Sequence, residues 1–248
     1  MALCEVHYFS PALGMQTAAY VIIPEGEGRR QFPVLYLLHG LSDDHTIWLR
    51  RTSIERYVEG LPLMVVMPNG GRGFYCDAAE GYAYETAIVR DLVGFIDRTF
   101  PARGERSGRC IGGLSMGGYG ALGLALKHPD MFCSAASHSG AVAFGHRVPA
   151  SDEALASEWR RILGPDPVGG PNDLFALAAA ADRDHLPSIR IDCGTEDFLL
   201  EDNRAFHRHL LDLGIPHAYA EYPGEHNWAY WDERVQEQIL FHARALGI

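Results

Sequence analysis

The chain has 248 residues, 47% of them apolar and 21% charged, an ordinary globular composition that excludes a disordered polypeptide. At about 150 residues per domain that is one large domain or two small ones, long enough to bury a core without disulfides or metals. With 21 basic and 32 acidic side chains the formal net charge is −11, a surplus that repels phosphate backbones and acidic membranes, so neither nucleic acid nor a membrane surface is expected as a partner.

Met1 to Leu13 carries Glu5 and His7 in an alternating pattern with no basic region, which reads as a strand rather than a signal peptide. Residues 3–9 and 17–23 are expected strands, the second closing at Pro24 and a Gly26/Gly28 turn. Val34 to Leu38 and Leu63 to Met67 are continuous apolar runs, as expected of strands buried on both faces and far shorter than the roughly 20 residues that span a bilayer. Between them a helix is expected from Trp48 to Glu59, ended by Gly60 and Pro62. From Tyr84 to Phe100, Ile88, Leu92, Phe95 and Ile96 recur at helical spacing, with Pro101 as the stop.

A strand near Arg109 to Gly112 leads into a helix from Met116 to Lys127, and Cys133 to Ser137 is a further strand. Residues 145–187 interrupt the rhythm with Pro149, the run Gly164 to Pro171 and the Ala-rich Leu174 to Ala181; they are expected to form a small inserted cap over one end of the sheet. Ile189 to Cys193 and Ala218 to Tyr222 are the last strands, Glu201 to Leu213 and Trp231 to Leu246 the last helices. Strands alternating with crossover helices imply an α/β fold whose mostly parallel sheet is covered on both faces. No repeat or linker divides residues 1–248, so one domain with the cap insertion is expected. The five cysteines (Cys4, Cys76, Cys110, Cys133, Cys193) form no CxxC pair and suit a reducing compartment, the cytoplasm, as small buried residues.

Gly113-Leu114-Ser115-Met116-Gly117 matches G-x-S-x-G between an expected strand and an expected helix, the context a nucleophile elbow needs. The helix after Ser115 aims unpaired N–H groups at the place where an oxyanion would form. The segment lacks the Gly-Lys-Ser/Thr ending of a P-loop, and no acidic residue follows as in a dinucleotide fold. Serine needs a base and the base an orienting acid, in the chain order Ser, acid, His. Asp197 lies just beyond the strand ending at Cys193, and His226 lies in the last loop before the last helix. Glu196 is the competing acid; Asp192 and Asp202 fall inside a strand and a helix. His207 and His209 share a helix with Arg204 and Arg208 and read as a solvated face. The loop His39-Gly40-Leu41 is expected to supply a second oxyanion donor, the Leu41 N–H beside that of Met116, with His39 as a structural hydrogen-bonder. Trp48, Tyr75, Tyr119, Trp159 and Trp228 lie near these loops or in the cap and are candidates for lining a substrate site, the alternative being that they fill the core. No paired metal-ligand spacing occurs, so no metal is expected.

Leu38-His-Gly-Leu41, Trp48 with Arg51-Thr52, Val65 to Asn69, Gly113 to Gly120, Cys193 to Asp197 and His226-Asn-Trp228 occur in the order that characterises the esterase D branch of the α/β-hydrolases. Across nearly its whole length the chain resembles this family of S-formylglutathione hydrolases, feruloyl esterases and bacterial tributyrin esterases, with the greatest likeness to the tributyrin/acetyl esterase group. The resemblance implies an α/β-hydrolase fold with Ser115 as nucleophile, Asp197 as acid, His226 as base, and Leu41 and Met116 as oxyanion donors. It implies hydrolysis of short-chain acyl esters through an acyl-enzyme, without a cofactor, in a protein that is often a homo-oligomer. Where formylglutathione enzymes carry a Gly-Leu-Thr-Cys stretch this chain has Gly40-Leu41-Ser42-Asp43, which disfavours the S-formylglutathione reading; S-formylglutathione hydrolase and feruloyl esterase activities are the alternatives to a short-chain carboxylesterase. The reading from another class is a non-catalytic α/β-hydrolase that binds a ligand, which need not keep all three of Ser115, Asp197 and His226.

Overall fold

Val34 to Leu38 is apolar at every position, so it is stable only where both faces of a sheet are covered. All five residues are buried, and in the computed structural model, which describes residues 1–25, 31–147 and 153–248, they form strand β3 near the middle of an eight-stranded sheet. The other strands are β1 (Ala2–Ser10), β2 (Met15–Ile23), β4 (Met64–Pro68), β5 (Arg109–Leu114), β6 (Ser134–His138), β7 (Ser188–Gly194) and β8 (Ala218–Tyr222). Their spatial order is β1-β2-β4-β3-β5-β6-β7-β8. The β1–β2 hairpin joins β4 antiparallel, and every pair from β4 across to β8 is parallel, so the mostly parallel α/β sheet read from the sequence is present.

The helices are α1 (Ile47–Arg51), α2 (Ile54–Tyr57), α3 (Tyr84–Thr86), α4 (Val93–Thr99), α5 (Met116–Lys127), α6 (Glu153–Leu163), α7 (Leu174–Ala180), α8 (Leu200–Asp212) and α9 (Trp228–Leu246). They cover the two faces separately. Val34, Tyr36, Leu38, Val66 and Ile111 pack against α4, α5 and α8, while Leu35, Leu37, Val65 and Cys110 pack against α1, α2 and α9. This is the period-two alternation of a strand with a core on each side.

Three helical expectations are corrected. The helix expected over 48–59 is two short ones, because Thr52 turns extended and its hydroxyl donates to the Trp48 carbonyl at 2.5 Å, a local bond that competes with the helical ladder. The helix over 84–100 contains a π-helical stretch, Ala87–Leu92, between α3 and α4. The last helix begins at Trp228 rather than 231, because the Asn227 side chain accepts from the N–H groups of Ala229 and Tyr230; an N-cap asparagine is a start signal readable from sequence. The expected Gly26/Gly28 turn and Pro149 lie outside the described residues.

β4 and β5 lie on opposite sides of β3, so the chain reverses its direction of winding there. At such a switch point the loops leaving adjacent carboxyl ends diverge and open a crevice. The loop after β3 holds His39 to Asp44 and the turn after β5 holds Ser115. The described non-glycine residues with positive φ are Ser42, Phe74, Tyr75, Ser115 and Ser139, which follow the carboxyl ends of β3, β4, β5 and β6. Backbone strain is gathered on one edge of the sheet, the pattern expected where a site is held in place by its surroundings.

Candidate active site

Ser115 has φ +53° and ψ −116°, a conformation costly for a residue with a side chain. The turn is held by its N–H donating to the His138 carbonyl and its carbonyl accepting from Ala141 N–H, at 2.9 and 3.0 Å. It is tight enough to require glycine two residues either side. A Cβ on Gly113 would lie 2.6 Å from the Gly117 carbonyl carbon, and one on Gly117 2.5 Å from the Leu38 carbonyl oxygen. Both clashes are with backbone that cannot swing away.

The Ser115 hydroxyl lies 3.0 Å from His226 Nε2, to which it donates, and His226 Nδ1–H donates to Asp197 Oδ2 at 2.8 Å. Asp197 is acceptor-only as a carboxylate, which fixes the imidazole tautomer with a free lone pair toward the serine. The Leu199 N–H donates to Asp197 Oδ1 at 2.8 Å. Burial alone would raise the Asp197 carboxyl, but the hydrogen bonds from His226 and Leu199 outweigh it and hold the group below its ordinary range. The competing Glu196 is exposed and points elsewhere, accepting the Gly224 N–H at 2.6 Å, which ties the Asp197 loop to the loop carrying His226.

Met116 is the first residue of α5, so its N–H has no acceptor within the helix. The Leu41 loop approaches the same place: a Cβ on Gly40 would lie 3.7 Å from Ser115 Cβ and 3.4 Å from Asp43 Oδ2. Burial, helped by the charge of Asp44, pushes the Asp43 carboxyl in this loop up to about 6. His39 lies beneath this loop, buried. Its Nδ1 contacts the Gly40 carbonyl and its Nε2 accepts from Gly70 N–H, both at 2.8 Å. Burial lowers its pKa, so it stays neutral and serves the turn.

The expected pocket aromatics divide. Trp48, Tyr75 and Tyr119 are buried and present almost no surface to a ligand. Their polar atoms are engaged with the carbonyls of Leu38, His39 and Asn172 respectively. They are core residues that shape the loops, and the expectation that they line the site is corrected. Trp159 packs edge-on against Phe74 and Phe144. Trp228 keeps partial exposure, standing edge-on to Trp48 and Trp231. The expectation of a solvated histidine face is also corrected: His207 contacts His217 and stacks on Tyr219, and His209 contacts the Phe175 carbonyl. Sequence reasoning missed the groups flanking His226, which are the ring of Phe198 at 4.5 Å and that of Trp231 at 4.9 Å. Phe198 stands next to Asp197, but nothing in a linear pattern says toward which side its ring turns.

A strained serine, a tautomer-locked imidazole and a helix N-terminus at the carboxyl edge of a parallel sheet define a serine hydrolase of the α/β-hydrolase fold. The model of the Esterase family matches residues 10–242. An acetyl esterase from Caldicellulosiruptor saccharolyticus is 29% identical, the match covering 95% of this chain and 96% of that protein. The solved structure of FphF, a fluorophosphonate-binding serine hydrolase of Staphylococcus aureus, is 32% identical with a TM-score of 0.88, covering 97% of both chains. FrmB, an S-formylglutathione hydrolase of Staphylococcus aureus, is 31% identical with a TM-score of 0.85, covering 97% of this chain and 98% of that one. The chain belongs to the Esterase family. It is a serine esterase acting on carboxylic esters. No helix among the described residues is long and apolar enough to cross a membrane.

Proposed function

We propose that Ser115, His226 and Asp197 form the catalytic triad of an esterase for short-chain acyl esters. The observation that carries this reading is the continuous hydrogen-bonded chain from Asp197 through His226 to the Ser115 hydroxyl. Ser115 Oγ attacks the ester carbonyl while His226 Nε2 takes its proton. The N–H groups of Leu41 and Met116 stabilise the oxyanion. His226 returns the proton to the leaving oxygen, and water then cleaves the acyl-enzyme with the same base. Asp197 keeps the imidazole oriented and stabilises its protonated form.

The likeness to an acetyl esterase over almost the full length of both chains supports a short acyl group. The net charge of −11 and the Asp43 carboxylate in the loop after β3 support neutral esters over anionic ones such as S-formylglutathione. Residues 145–187 are read as a cap on a single domain of residues 1–248. In support, backbone N–H groups of Ala79 and Glu80 donate to the carbonyls of Ile162 and Arg161, tying α6 to the loop after β4. Of the five aromatics singled out from sequence, Trp228 keeps its place as a substrate contact. Five free cysteines support a reducing compartment, the cytoplasm, and a homo-oligomer rests on the family resemblance alone.

Initial rates on p-nitrophenyl acetate, butyrate and octanoate and on methyl ferulate and S-formylglutathione, with Ser115→Ala beside the parent, test the reading. Turnover steepest on acetate or butyrate and lowered about 10⁴- to 10⁶-fold by the substitution is expected. Preference for ferulate or the thioester would move the substrate class, and equally slow rates in both proteins would leave a binding role.

A further inference from the structure

In acyl transfer the position of the leaving group is dictated by the base. The acyl oxygen faces the oxyanion donors and the acyl carbon faces Ser115 Oγ. As the ester C–O bond breaks, the departing oxygen must take the proton that His226 Nε2 received from Ser115, so it lies within hydrogen-bond reach of that nitrogen. Whatever substituent the departing alcohol carries therefore lies against the groups that flank His226. Among the described residues, aromatic rings flank the imidazole from two directions. Trp231 is buried beneath it. Phe198 is 77% exposed, more than any other large hydrophobic residue described, yet its ring centroid is 4.5 Å from that of His226.

An exposed aromatic ring in an ordinary surface loop would need no explanation. This one is held in place at both neighbours. Asp197 N–H donates to the Gly194 carbonyl, and Leu199 N–H and Leu200 N–H donate to the side chain and carbonyl of Asp197. The backbone is fixed by the same residue that orients the imidazole, and the Phe198 ring lies against that imidazole, an apolar surface beside the path of the leaving group. A rigid aromatic surface costs little conformational entropy to bind against and gains from a stacked or edge-on aromatic partner.

We propose that Phe198 determines specificity on the alcohol side of the ester, so that the enzyme favours esters of aromatic or bulky apolar alcohols over methyl or ethyl esters of the same acid. This rests on the triad reading above. Phe198 takes no part in the proton transfers; it binds the departing group while the Ser115–acyl bond forms.

Benzyl acetate and ethyl acetate test this cleanly. Both release an alcohol that must be protonated and both leave the same acetyl-enzyme, so a difference in kcat/KM reports the leaving-group side alone. The parent enzyme should prefer benzyl acetate. Phe198→Ala should lose about tenfold in kcat/KM on benzyl acetate and stay within about twofold on ethyl acetate, and Phe198→Leu, which keeps apolar bulk, should recover most of the loss. An equal fall on both esters would overturn the proposal, since Phe198 would then merely prop His226, and so would no change on either. Retained hydrolysis of ethyl acetate by Ser115→Ala would overturn the triad reading and this proposal with it, because no leaving group would then pass His226.

Discussion

Among the described residues, serine, histidine and aspartate join in one line at the sheet edge, while in the interior they pair as Ser134 with His242 and Asp192 with His138. At the carboxyl edge of the sheet, Ser115, His226 and Asp197 form a line with the serine open to a crevice. In the interior, under α9, His138 Nδ1–H and the Tyr230 hydroxyl both donate to Asp192 Oδ1, at 2.8 and 2.9 Å. Nearby, Ser134 Oγ lies 2.8 Å from His242 Nδ1. Ser134, His138, Asp192 and His242 are fully buried. Ser134 lies within the regular strand β6, His242 has no carboxylate partner among the described residues, and no helix begins at either pair. Residue type is the same in both places. Backbone strain, access and the order of the hydrogen bonds separate the set proposed to be reactive from one that knits α9 to β6 and β7.

If this contrast is right, damage to the two sets should have opposite readouts. Asp197→Asn keeps an acceptor for Leu199 but sets an NH2 against His226 Nδ1, forcing the wrong tautomer. Steady-state rates should fall by about 10⁴ while the urea unfolding midpoint moves little. Asp192→Ala leaves His138 and Tyr230 without their shared acceptor. Urea titration should show a loss of about 3–5 kcal/mol, with kcat of the folded enzyme close to the parent; a large loss of kcat at unchanged stability would mean that the interior set steers the edge set.

The last effect is absent at neutral pH and concerns acid. Burial, and the neighbouring charges of His138 and Arg190, lower His242 to about 3. Its unfolded value is about 6.5, so the unfolded chain takes up the proton first. This contribution to stability is complete above about pH 6.5 and is lost progressively as pH falls toward 3. His242→Gln should flatten the fall in unfolding midpoint between those limits, measured against parent, without changing kcat at neutral pH.

The centre of the sheet was legible because β3 and β4 are apolar runs bounded by Gly, Pro and Asn, and burial on both faces leaves no other stable home for such runs; the later strands were placed by their alternation with helices. Ser115 was legible because its turn needs glycines at fixed offsets, and Asp197 and His226 because chain order places them on the same edge. What the sequence concealed was decided by long-range packing. Trp48 and Tyr75 beside motif loops look the same in a linear pattern whether they face a pocket or hold a loop from below. Asn69 to Cys76 supplies two positive-φ residues, Phe74 and Tyr75, which no local preference would announce. The break at Thr52 depends on one hydroxyl choosing a carbonyl four residues back.

Ser115 and His226 are 111 residues apart along the chain, and Asp197 lies between them in sequence. A polypeptide emerging from the ribosome displays its serine long before its base exists, and a fragment ending short of the last strand carries the nucleophile unarmed. Contacts of such sequence separation also form late, since chain-closure entropy must be met before they return anything. With the triad proposed above, the hydrolase would be silent through synthesis and through most of its folding, gaining the power to cleave esters only when β8 has docked on β7 and the loop that follows it is in place.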